Sequence, residues 1–492
     1  METLVPLGHL RSPGDTALPE TLLSPARPRP GLTSLPEELL ENVLKDLVPV
    51  QYDTSSARAL RSLCLTSRLF RRLSTPYLYT WIDIGSAVPE SFFQSLTYNP
   101  DLSGYIKHVY CNTENIRNAP KDTSLGLTQQ LREKFIGLNL NLPDFYVNEL
   151  FNNTLLWHFT ALFILAPNLE TCHYRAPGWK NSRASIFQLL TALPSRRPDG
   201  LLGISEDGFR QLHTIRIDTG SSLTFNHVAR LLGHTSLRTL EIREAVTHEW
   251  AAMQDGEFAS LLPPHRSSFV ENLYLPNCGM SSEDIAVVLG RLKHLRRFSF
   301  GYNNPYRFIS DETELHWPTI AAALLGHGDS LEAIRLYDYE LRHGVGYLGS
   351  LKDLGGLRYL SVPITSIEPN GASEMAYANL VDTVPSGIEY LCIHRIRHTP
   401  ESIGYFEQSL ETLADDGFYL FPSLRHVHTN DMYQPSESVV ELYNCHGKQL
   451  SSHSPKSTTC GKGDIDREQP SPTYFHKISQ QFFFSTRCCS ED

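Results

Sequence analysis

Cysteine is scarce in this chain: nine in 492 residues, with no dense spacing that could form a disulfide framework. That excludes the small bridge-stapled secreted scaffolds and fits a reducing compartment. An excess of basic charge is also missing. Lysine and arginine number 43 against 54 acids, so the formal charge is 43 − 54 = −11. A general nucleic-acid binder, whose cations would dominate, is not expected. Long hydrophobic runs are lacking too. The longest mostly apolar stretch, Leu155–Ala166, is interrupted by His158 and falls short of the ~20 residues of a membrane span. The first residues carry Glu2, Asp15 and Glu20 among scattered prolines, the form of neither a signal nor a transit peptide. The expected class is a soluble protein inside the cell, in cytoplasm or nucleus, with no membrane partner.

What is present is ample apolar material, 41% of the residues, in a chain too long for one ordinary domain of about 100–200 residues. Residues 1–32 read as a disordered leader, because six prolines from Pro6 to Pro30 break any apolar period. Order is expected from Ser34, whose spacing to Glu37 has the form of a capping box with Pro36 in the first turn. Leu35, Leu39, Leu40, Val43, Leu44 and Leu47 then form a helical stripe that Pro49 stops. A second stripe follows at Ala57, Leu60, Leu63 and Cys64. A third, capped by Thr66 or Ser67, carries Leu69, Phe70 and Leu73 and is expected to end at Pro76.

Beyond these helices the pattern becomes a recurring hexad, L-x-x-L-x-L. Strong copies start at Leu212, Leu237, Val270, Leu295, Leu331, Leu357, Ile388 and Leu424, and weaker ones at Ile106 and Leu169. The mean period is (424 − 212)/7, about 30 residues, which is the mark of a solenoid. Helix-like stretches such as Val228–Leu232, Asp284–Leu292 and Ile320–Leu325 lie between hexads. Each unit is then a strand plus a returning helix that buries its apolar face only by stacking on neighbours. The expected fold is therefore α/β: a three-helix unit at 33–80, an irregular strand-plus-helix solenoid at 81–430, and a disordered tail at 431–492.

Two linked pieces carry a family resemblance. Leu35-Pro36-Glu37-Glu38-Leu39-Leu40, with Val43-Leu44, is followed by Leu60-Arg61-Ser62-Leu63-Cys64 and Arg68-Leu69-Phe70-Arg71-Arg72-Leu73. Together they resemble an F-box over residues 33–80, and Thr75-Pro76-Tyr77-Leu78-Tyr79 is similar to its fungal variety. Phe70 stands where many members carry Trp. The remainder resembles the irregular leucine-rich-repeat domains that follow fungal F-boxes. The resemblance implies a substrate-recruiting subunit of a Skp–cullin–F-box ubiquitin ligase. Its F-box would bind the Skp adaptor, and through it the cullin and RING subunits. Its repeats would hold an unidentified substrate protein. Catalysis would sit on other subunits, and no cofactor is implied.

Apolar surface wider than a small helical core can cover suits a partner. The candidates are Leu35, Pro36, Leu39, Val43, Leu44, Leu60, Leu63 and Cys64. Substrate contacts are expected on the concave face, where residues alternating with the apolar ones align in columns. Arg216, Tyr274, Arg297, Arg335, Tyr359 and Tyr390 are the candidates there, Tyr and Arg being enriched at hot spots. The alternative is a leucine-rich-repeat scaffold acting without a ubiquitin ligase, its helices capping the solenoid.

Other motifs are weaker. Gly344-Val345-Gly346-Tyr347-Leu348-Gly349 spells a dinucleotide fingerprint but lacks a strand leading tightly into the first Gly and an acid at the right distance. A repeat loop leading to a short helix at Leu348–Leu354 is expected instead. His394 and His398 read as surface histidines, and Cys445, His446, His453 and Cys460 match no usual zinc spacing. The basic cluster Arg291, Lys293, Arg296 and Arg297 reads as a solvated edge, with contact to an acidic or phosphorylated substrate as the other possibility. No catalytic or metal constellation is expected.

Overall fold

The computed structural model describes residues 35–48, 54–84, 90–112, 133, 162, 165–175, 211–218, 225–246, 262–302, 315–338, 344–367, 380–394, 400–414, 418–430 and 435–452. The expected leader 1–32, and the tail beyond 452, lie outside the described residues.

Three helices open the described chain: α1 (Glu37–Asp46), α2 (Thr54–Thr66) and α3 (Arg68–Thr80). Leu40, Leu44, Leu60, Phe70 and Leu73 form a small core between them, with Leu47, Leu63, Leu69, Tyr77 and Leu78 packed against it. Ser67 caps α3 by accepting from the Phe70 amide at 3.1 Å. The expected capping box at α1 does not close on its own helix. Pro36 occupies the N-cap position without a side-chain bond, and the Glu37 carboxylate accepts from Arg72 of α3 at 2.5 Å. Nor does Pro76 end α3, which continues to Thr80. Proline removes only the amide that would donate to the Arg72 carbonyl, and the turns on either side are reinforced. The Thr75 hydroxyl donates to the Arg71 carbonyl and that of Thr80 to the Pro76 carbonyl. The residues beyond also pack on two cores: Tyr77 and Leu78 on the helical one, Tyr79 on the main one.

From Thr80 the chain passes directly into strand β1 (Trp81–Asp83), then helix α4 (Glu90–Tyr98) and β2 (His108–Asn112). The strands that follow are β3 (Thr171–Arg175), β4 (Thr214–Asp218), β5 (Thr239–Arg243), β6 (Asn272–Cys278), β7 (Arg297–Tyr302), β9 (Ala333–Asp338), β11 (Tyr359–Pro363), β12 (Tyr390–His394), β13 (His426–Asn430) and β14 (Gln449–Ser452). With β1 and β2 they make one open twelve-stranded sheet, every described pairing parallel and each strand beside its sequence neighbour. Two short strands, β8 (Leu315–His316) and β10 (Gly344–Val345), pair separately. The architecture is α/β and solenoid-like.

Each strong hexad supplies one strand, and its first, fourth and sixth residues point into a single continuous apolar core, save that the last hexad ends on the buried Thr429. Leu295, Phe298 and Phe300 are fully buried there, as are Leu331, Ile334 and Leu336, with Trp317 of the helix Trp317–Leu325 beneath them. Parallel strands demand a crossover between them. The helices Ser282–Arg291 and Trp317–Leu325 provide two, where the apolar stretches predict them. The expected helix at Leu348–Leu354 is absent, and Leu348, Leu351 and Leu354 enter the core from turns. The glycines before it have a local reason. Gly346 has φ +73°, and a Cβ there would lie 2.8 Å from the Pro318 ring. The repeats also outrun the expected boundary at 430, since the helix Glu437–Cys445 and β14 add one more unit inside the expected tail.

The second hexad position builds a charge ladder along the strand starts. Lys107 meets Glu170 at 2.8 Å, Arg238 meets Glu271 at 3.6 Å, and Arg296 reaches Glu271 at 3.8 Å and Glu332 at 2.8 Å. Glu389 lies 3.8 Å from Arg358 and 4.0 Å from Arg425. His213 stands between Glu170 and Arg238, and its burial lowers its pKa, so near neutrality it spares Arg238 a like charge. Backbone carbonyls of these residues up to Glu389 each accept two amides of the next repeat, as Glu271 does from Arg296 and Arg297. Exposed ion pairs are worth about 0.2–1 kcal/mol each. Arg296→Glu would remove two and set three acids in a row. A stability loss of about 1–2 kcal/mol is expected, and 0.5 M salt should shrink it in urea titrations by screening the repulsion.

Candidate functional site

Two surfaces carry the predicted contact residues. On the helical unit, Leu35 is 40% exposed, Leu39 50% and Val43 48%, with Pro36 exposed beside them. Leu39 and Val43 are four residues apart on α1 and share a face, about 100° round the helix from the one that buries Leu40 and Leu44 at 1% and 2%. Leu44 and Leu60 are therefore not surface residues. Both lie in the helical core, where α1 must meet α2 and α3. Leu63 and Cys64 are half-buried, the former packed on that core. Leu65, 74% exposed at the end of α2, is a large apolar residue that the stripe reading missed. It lies one step off the buried line.

The second surface is the sheet face opposite the main core. Strand register aligns one column of residues alternating with the apolar ones: Arg216, Glu241, Tyr274, Ser299, Arg335, Ser361, Cys392 and His428. Its partner column runs Thr214, Thr239, Asn272, Arg297, Ala333, Tyr359, Tyr390 and His426 in the same pairings. Alignment does not bring exposure, however. Tyr274, Ala333, Tyr359 and Cys392 form a second apolar cluster, with Tyr390 against it. Tyr359 is 1% exposed. Side chains on strands about 4.8 Å apart pack against one another, and Tyr274 and Tyr359, both buried, support this face rather than project from it. Arg216, Arg297, Arg335 and Tyr390 stay partly exposed.

Polar groups on this face are held in place. Glu241 accepts from Arg243 at 2.7 Å and lies 3.4 Å from Arg216. Arg175 lies 3.8 Å from Asp218. Arg335 donates to the Tyr337 hydroxyl and sits 4.4 Å over that ring. Burial pushes the Tyr274 hydroxyl up to about 12, and Arg297, bonded to it, pulls the other way. Burial drives His173 down to about 4, so it is neutral at pH 7. Tyr390 stacks on His426 at 5.0 Å. Arg175, Asp218 and Arg243 form a third column, aligned by register, that the hexads did not flag. Extending the alternation two residues past the last strand-facing position would have found it.

The weaker motifs resolve individually. His394 is a correction: it is buried, its Nε2 is 2.8 Å from the Leu336 carbonyl oxygen, and it stacks on Tyr337 at 4.5 Å. His398, His453 and Cys460 lie outside the described residues. Among the described residues no group of three or more His, Cys, Asp or Glu is placed to hold a metal, and no helix is long and apolar enough to cross a membrane. Of the basic cluster, Arg296 belongs to the ladder and Lys293 lies 5.6 Å over the Phe269 ring. In comparisons with known proteins, no family model and no curated protein matches the chain.

Proposed function

We propose that this chain is a non-catalytic substrate-recognition adaptor of a Skp–cullin–F-box ubiquitin ligase. In this reading residues 33–80 are an F-box that binds the Skp adaptor, and the following leucine-rich-repeat-like solenoid holds a substrate protein. The observation that carries it is the split of α1 into two apolar faces. One face closes a core with five buried apolar side chains among the described residues, and the other leaves Leu39 and Val43, with Leu35 just before the helix, 40–50% exposed. Covering the exposed half of such a side chain contributes about 1 kcal/mol, and three together suit a docked partner helix. Capture of a purified Skp-type adaptor by the full chain tests this directly. A chain that folds and captures none would defeat the proposal.

A scaffold acting without the ligase has its own support. Helix α3 runs without a break into β1, Tyr79 stacks on Phe92 at 5.9 Å, and the Lys107 amide donates to the Thr80 carbonyl. The helical unit is thus built onto the first edge of the sheet, as a solenoid cap would be.

A further inference from the structure

We infer that the sheet face over β3–β9 is a docking site for an extended, carboxylate-rich segment of a partner protein. This rests on the reading of that face as the substrate surface and narrows it to a substrate class. The face is cationic in an anionic chain. Arg175, Arg216, Arg243, Arg297 and Arg335 stand against Asp218 and Glu241, a balance of 5 − 2 = +3, where the whole chain carries −11. The two carboxylates are shared by three of the arginines, Arg175 with Asp218 and both Arg216 and Arg243 with Glu241. Arg175 and Arg243 keep 44% and 46% of their side chains exposed. Arg297 and Arg335 are oriented by tyrosines. A guanidinium fixed in this way loses little freedom on taking a carboxylate.

The spacing selects the ligand. These arginines lie on β3, β4, β5, β7 and β9, five sheet steps from end to end. At about 4.8 Å per step they span roughly 24 Å, the length of about seven extended residues. Cations spread in this way match separate single charges and do not converge on one phosphate dianion. A long nucleic-acid strand would also meet the repulsion of the surrounding chain.

The test uses the full chain and fluorescein-labelled heptaglutamate, followed by anisotropy at low salt, with heptaglutamine, a phosphoserine peptide and oligo-dT as separate arms. Heptaglutamate should bind at least tenfold tighter than heptaglutamine. Arg243→Gln should weaken it about tenfold. Asp218→Asn, which removes a competing carboxylate, should tighten it about threefold, a gain that misfolding cannot imitate. Equal binding of the two heptapeptides would overturn the inference. So would an unchanged affinity in Asp218→Asn, or binding confined to the phosphopeptide or oligo-dT. Adaptor capture is measured on the same sample. Peptide binding without adaptor capture keeps this site and removes the ligase reading, while capture without peptide binding removes only this inference.

Discussion

Leu39→Asp is expected to lose at least 100-fold in affinity for a Skp-type adaptor while leaving the unfolding midpoint nearly unchanged. Leu44→Asp is expected to unfold the helical unit. The two residues are five apart on one helix and differ only in direction. Leu39 is 50% exposed, so a carboxylate there stays hydrated in the unbound chain and meets apolar surface only when a partner docks. That desolvation costs several kcal/mol, and about 3 kcal/mol already equals 100-fold. Leu44 is 2% exposed among Leu40, Leu60, Phe70 and Leu73, where the same carboxylate is desolvated by folding itself. Circular dichroism and calorimetry on both variants, beside the capture assay, separate the effects. Retained capture by Leu39→Asp would shift weight to the capping role of the helices.

Tyr359→Ala is expected to cost about 3–5 kcal/mol of stability, the range for truncating a large buried aromatic. The ring is 1% exposed in a cluster with Tyr274, Ala333 and Cys392, the last two on the adjacent strands β9 and β12. Tyr390→Ala, next to it but partly exposed and stacked on His426, should cost clearly less. Urea midpoints of the two variants give the comparison. A silent Tyr359→Ala would mean that the sheet face carries no packing of its own.

The strands were legible because one signal was repeated. Leucine-type or aromatic residues at hexad positions one, four and six recur in seven hexads, with Thr429 at the sixth position of the eighth. Even the weak copies at Ile106 and Leu169 coincide with β2 and β3. Period alone could not reveal β14, whose corresponding positions are Gly447, Leu450 and Ser452, nor the passage of α3 through Pro76, which depends on packing by residues beyond it. Strand β1 does carry the triplet, as Tyr79, Ile82 and Ile84, but on a stretch that reads as the end of the helices. The columns on the outer face were readable from alternation, but their burial was not. Exposure depends on what stands on the adjacent strand some 30 residues away, and a single strand's sequence is silent on that. Likewise the apolar stripe of α1 identified the helix, but only contact with α2 and α3 divides Leu40 and Leu44 from Leu39 and Val43.

The charge ladder also constrains how such a chain can change length. From Arg238 to Arg425 the sign reverses at every repeat: Arg238, Glu271, Arg296, Glu332, Arg358, Glu389, Arg425. Deleting one interior unit would put like charge beside like, whereas deleting two adjacent units would restore the match. The array therefore has a parity. Over this stretch, repeats are expected to be gained or lost in pairs, or singly only with a compensating charge change at the second hexad position.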